Sequence, residues 1–98
     1  MITSEIENSP KRYRMFLDNS RTGNRYTLTL EESNGEWIAS WYSTILENQR
    51  VEGSDANLVA INADQAFHQA KYLIEKEDED IIGVDWQFEN PLPPWIVD

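Results

Sequence analysis

The chain has 98 residues, 40% of them apolar, with 8 basic and 18 acidic side chains for a net charge of −10. That length makes one domain with one core, since domains typically run to roughly 100–150 residues, and it excludes a catalytic domain joined to a second one. The sequence has no cysteine and a single histidine, His68, which excludes a disulfide framework, a thiolate metal site, a cysteine nucleophile and any multi-histidine metal centre.

No apolar run approaches the roughly 18 residues that span a bilayer. Met1-Ile2-Thr3-Ser4-Glu5 lacks the basic and apolar regions of a signal peptide. The expectation is a soluble, cytoplasmic protein with no membrane partner and no cofactor. Charge is split unevenly: residues 1–50 carry 6 basic and 7 acidic groups, residues 51–98 carry 2 and 11. A field of that sign repels phosphate backbones and favours either solubility or a basic protein partner.

Met1 to Pro10 is polar and reads as a loose arm. From Arg12 to Asp18 the side chains alternate, with Tyr13, Met15 and Leu17 on one side and Arg12, Arg14, Phe16 and Asp18 on the other; period two is a strand. Asn19 to Asn24 is a cluster of turn formers. Arg25 to Glu31 alternates again, Tyr26, Leu28 and Leu30 against Arg25, Thr27, Thr29 and Glu31.

Asn34-Gly35 then predicts a two-residue type I′ hairpin, because both positions need positive φ. If Ser33 faces Glu36, paired residue numbers sum to 69. Leu30 then lies opposite Ala39, Leu28 opposite Trp41, Tyr26 opposite Ser43 and Glu32 opposite Trp37. Tyr26, Leu28, Leu30, Trp37, Ala39 and Trp41 make the core face; Thr27, Thr29, Glu31, Ile38, Ser40 and Tyr42 make the reverse.

Ile45 and Leu46 end that strand, and Glu47 to Asp55, with Gly53, reads as a polar loop. Leu58 to Ile61 is a short fourth strand or the lead-in to a helix. Asn62 is a good N-cap, with Gln65 at capping-box spacing. The helix is expected over about residues 63–77, with Ala63, Ala66, Phe67, Ala70, Leu73 and Ile74 as its apolar stripe and Phe67 over Trp41. Glu75, Glu77, Asp78, Glu79 and Asp80 crowd the end where the helix dipole prefers cations. Either the helix frays there or these acids have a task.

Ile82, Val84, Trp86 and Phe88 alternate with Ile81, Gly83, Asp85 and Gln87, predicting a last strand. Pro91, Pro93 and Pro94 favour an extended segment, and Trp95-Ile96-Val97 forms an apolar end that docks on its own domain or on another copy. The fold class is therefore α+β, an antiparallel sheet of three to five strands with one helix on one face, in β-β-β-α-β order.

Three pieces, Tyr26 to Glu32, Gly35-Glu36-Trp37-Ile38-Ala39 and Asn62 to Ala70, place a strand with an acidic end, a glycine turn, an aromatic-starting strand and an alanine-bearing helix in sequence. Over residues 25–75 this order resembles the HicB-type antitoxin domain. The segment Ser43 to Gly53 has no proline where that family carries Pro and Gly, and the family's glycine just before the helix is absent. Membership would imply a toxin-neutralising partner role.

Asp64 and His68 are four apart, so a carboxylate orients the imidazole. His68 points about 140° from the apolar stripe, at roughly 100° per residue, and no nucleophile accompanies it; no catalytic role is expected. Glu75, Glu77, Asp78, Glu79 and Asp80 lack the alternating oxygens around a glycine that a calcium loop uses, and read as a solvated acidic surface. The reverse sheet face gathers Arg12, Arg14, Phe16, Arg25, Thr27, Thr29, Ile38 and Tyr42. Arginine with aromatics is the composition of a base-stacking platform or of a protein interface.

The leading expectation is a non-enzymatic interaction module that self-associates through a sheet face or edge. Arg12, Arg14, Phe16, Arg25, Ile38, Tyr42 and Trp95 are its candidate contact residues. One alternative is an acidic inhibitor that occupies a basic nucleic-acid-binding surface. The other is a small sheet that binds RNA or single strands through Phe16 and Tyr42.

Overall fold

The computed structural model describes residues 11–45, 50–89 and 92–93. The chain runs β1 (Arg12–Asn19), β2 (Asn24–Ser33), β3 (Glu36–Ile45), β4 (Arg50–Ala60), helix α1 (Ala63–Glu77), a 3-10 turn (Glu79–Ile81) and β5 (Gln87–Phe88). These strands form an antiparallel sheet in the order β4-β3-β2-β1-β5. The fold is α+β with one main helix. The expected arm before Lys11 and the end carrying Trp95 lie outside the described residues.

The β2–β3 hairpin has the register that the Asn-Gly turn dictates. Ser33 pairs with Glu36, Leu30 with Ala39, Leu28 with Trp41 and Tyr26 with Ser43. Asn34 and Gly35 take φ of 54° and 81°, the left-handed region that a type I′ turn requires at both positions. Period two then sorts the faces: Met15, Leu17, Leu28, Leu30 and Ala39 are fully buried and Trp41 is buried, while Tyr42 is only half-buried. Each large apolar side chain so buried contributes about 1.5–3 kcal/mol.

The β1–β2 connection is held by a buried asparagine. Asn19 accepts at Oδ1 from the backbone N–H groups of Arg21 (2.9 Å) and Thr22 (3.2 Å), and its carbonyl accepts from Gly23 N (2.8 Å). An Asx turn of this kind satisfies loop donors without sheet partners.

From Arg50 on, the stretch read as a polar loop is instead the first half of a fourth strand. β4 pairs with β3 from Arg50–Ile45 to Ala60–Trp37, with a register shift between Trp41 and Ser43. Ala56 faces Trp41 and Glu52 faces Ser43, so Gly53, Ser54 and Asp55 span the place of Tyr42 alone. Turn-forming residues here make a bulge that bends the strand without ending it.

Asn62 caps α1, accepting from Gln65 N at 2.7 Å. Gln65 reaches back to Ile61 N (3.0 Å), one residue earlier than in the usual capping box. Ala63, Ala66, Phe67, Ala70 and Ile74 are buried. Leu73, expected among them, is 39% exposed, because at 100° per residue it falls roughly 75° off the centre of that stripe.

The last strand is also shorter than the alternation implied. Glu79–Ile81 turns as a 3-10 helix, Gly83 takes φ 86°, and only Gln87–Phe88 pairs with β1. The turn shifts the inward residue by one: Ile81 is fully buried, while Ile82 and Val84 are exposed. Phe67 closes this side of the core against Trp86 and Phe88, with ring centroids 5.8 and 6.0 Å away.

Candidate interaction surfaces

Among the described residues, α1 covers one face of the sheet and no element covers the other, the open face. Pairing aligns Phe16 with Thr27 and Tyr42 across three strands, and Arg14 with Thr29 and Ser40 in the next row. Asp18, Arg25 and Thr44 form a third row, and Arg12, Glu31, Ile38 and Val59 a fourth. All six described candidates, Arg12, Arg14, Phe16, Arg25, Ile38 and Tyr42, therefore share the open face. Thr27 does not present itself there: it is buried in the row between the two aromatics.

Phe16 lies between two guanidinium groups, with Arg14 and Arg25 each 5.3 Å from its ring centroid. Arg25 is held by a two-point bond to Asp18 (2.7 and 3.0 Å). That bond is the main reason the Asp18 carboxyl titrates below its usual range. Arg12 and Arg14 form no ion pair with a carboxylate among the described residues.

The acidic surface is less uniform than its sequence suggests. Asp78 is half-buried and accepts from Tyr26 Oη (2.9 Å) and Asn19 Nδ2 (2.8 Å) at one oxygen and from Asp80 N (3.2 Å) at the other. Its own N–H closes the helix on Ile74 O (3.0 Å). Asp80 pairs with Arg21 at 2.6 Å, which holds its carboxyl below the usual range. Glu75 pairs with Lys71 at 2.8 Å. The helix runs to Glu77, and three of the five acids tie its end to the β1–β2 turn or to the helix itself. Glu77 and Glu79 remain exposed, with Lys76 beside them and 5.9 Å from the Tyr72 ring.

A third surface has only a faint sequence signal. Among the described residues β4 is an edge strand, paired on one side by β3. Between it and α1 runs an apolar groove of about 470 Å³ lined by Leu58, Gln65, His68, Gln69, Tyr72 and Leu73. Tyr72 and Leu73 in its lining are 62% and 39% exposed, and Val59 and Ile61, in the same run of chain as Leu58, are 54% and 76% exposed. The available signal is the uncharged run Ala56-Asn57-Leu58-Val59-Ala60-Ile61, of which Leu58 to Ile61 alone reads as a short strand or lead-in.

His68 Nδ1 lies 2.8 Å from Asp64 Oδ1 and 2.9 Å from Asp64 O, so the expected pair forms, exposed, beside this groove. Among the described residues no group of three His, Cys, Asp or Glu side chains is placed to hold a metal ion, and no helix is long and apolar enough to cross a membrane. No protein-family model, curated protein or solved structure matches the chain.

Proposed function

We propose that the chain is a non-enzymatic interaction module that self-associates by pairing the β4 edges of two copies, with the neighbouring apolar grooves packed together. The observation that carries this reading is the difference between the two edges of the sheet. β5 has two residues, and proline follows at 91, 93 and 94; short strands and proline are standard ways of blunting an edge. β4 has eleven. Its first half carries Glu52, Asp55 and the bulge, which discourage pairing. Its second half, Asn57–Ala60, has no charge, no proline and no bulge, and it borders exposed Ile61, Tyr72 and Leu73.

An unprotected edge beside an apolar surface fits strand addition, in which main-chain bonds supply affinity and neighbouring side chains supply selectivity. A two-fold axis crossing β4 makes such a contact self-complementary and closed, as in most homodimers. Light scattering on a concentration series in about 1 M salt, where contacts between exposed charges are screened, tests the reading. The wild-type chain is expected to be a dimer, and Val59→Lys with Leu73→Glu a monomer of unchanged circular dichroism. A wild-type monomer at the highest soluble concentration, or a variant that still dimerises, would rule the reading out.

A further inference from the structure

We propose that the open sheet face is a second, electrostatic contact surface whose occupant is the acidic tip of another copy of this chain, so that Arg12 and Arg14 of one molecule meet Glu77 and Glu79 of the next. This contact goes beyond the β4 edge and does not depend on it.

The inference starts from which charges the fold pairs internally. Lys11, Arg21, Arg25 and Lys71 each find a carboxylate, on Glu32, Asp80, Asp18 and Glu75. In a chain with 18 acidic groups, Arg12 and Arg14 nevertheless have none among the described residues. Even Glu31, the cross-strand neighbour of Arg12, forms no ion pair with it. Glu77 and Glu79 are the matching surplus at the other end; of the two cations beside them, Arg21 is taken by Asp80 and Lys76 remains.

The two surpluses cannot meet within one molecule. The tip is fastened to Asn19 and Arg21 by Asp78 and Asp80. Arg14 and Arg12 lie five and seven residues back along β1, roughly 17–23 Å away at strand rise. Complementary patches that cannot close intramolecularly favour a partner in defined orientation. Phe16, Tyr42 and Ile38, half-buried on the same face, give that partner an apolar floor. The contact joins different surfaces, so it adds copies head to tail.

Charge exchange tests it, read by sedimentation velocity of the full chain in about 0.15 M salt. Every sample carries Leu73→Glu in the groove beside β4, which removes edge pairing from the readout and leaves the open face unaltered. Arg12→Glu with Arg14→Glu makes the chain four charges more negative; Glu77→Lys with Glu79→Lys makes it four less so. Each variant alone is expected to associate about tenfold or more weakly than its parent, and an equal mixture of the two is expected to recover association. If net charge alone governed, the lysine variant would associate more strongly than the parent, and that result overturns the proposal. A parent that stays monomeric, a variant that associates like its parent, or a mixture that sediments as separate components also overturns it. Circular dichroism confirms that each variant is folded.

Discussion

Tyr26 on β2 donates its hydroxyl to Asp78, the residue that ends α1, across 2.9 Å, and Asn19 donates to the same carboxylate oxygen. The helix terminus is thereby fixed to the sheet by residues 52 and 59 positions away in sequence. Removing the acceptor leaves two side-chain donors and the Asp80 N–H without it, whereas Tyr26→Phe removes one donor. Asp78→Ala should cost about 2–3 kcal/mol and Tyr26→Phe about 1 kcal/mol. Urea denaturation measures both; equal costs would contradict the shared-acceptor arrangement.

The same contact predicts an alkaline limit to stability. Burial, reinforced by the bond to Asp78, raises the Tyr26 phenol above its ordinary range. A raised folded-state value means that the stabilisation is complete below about pH 10, where a free phenol titrates, and is lost as pH rises further. Stability against urea should fall above that point in wild type and less steeply in Tyr26→Phe. Identical slopes would show that Tyr26 ionises as freely in the folded chain as in the unfolded one.

On the acid side the sign reverses. Arg25 lowers the Asp18 carboxyl and Arg21 lowers that of Asp80. A lowered value gives stabilisation that is complete above about pH 4, where free carboxyls titrate, and is lost as pH falls through the folded-state value. Arg25→Gln should therefore be less stable than wild type at neutral pH, with the difference shrinking in acid. A difference constant down to the acid unfolding limit would rule out a charge-linked origin.

Two adjacent isoleucines separate the 3-10 turn from a continuous strand. Ile81 is fully buried and Ile82 is 60% exposed. Ile81→Ala should cost about 2–5 kcal/mol and Ile82→Ala no more than about 0.5 kcal/mol. Reversed costs would restore the strand that simple alternation implied.

That reversal marks the boundary of what local pattern conveys. The hairpin was legible because Asn34-Gly35 demands a specific turn and the turn sets every pairing behind it. The helix was legible because Asn62 is a cap and the alanines repeat at helical spacing. β4 was hidden because Gly53, Ser54 and Asp55 carry the same chemistry in a bulge as in a loop, and only the partner strand distinguishes them. The open face was legible by alternation, but not the burial of Thr27, which depends on two neighbours brought beside it by pairing. The task of Asp78 was invisible, since its donors lie on a hairpin more than fifty residues earlier.

Strand addition at β4 is tested most directly by amide hydrogen exchange across Asn57–Ala60 at rising protein concentration. Alternate amides of an edge strand point away from its neighbour and stay open to solvent until another strand covers them. Pairing of two copies predicts that these outward amides gain protection with concentration while those of β5 do not. Outward amides that exchange at one rate from dilute to concentrated protein would contradict it.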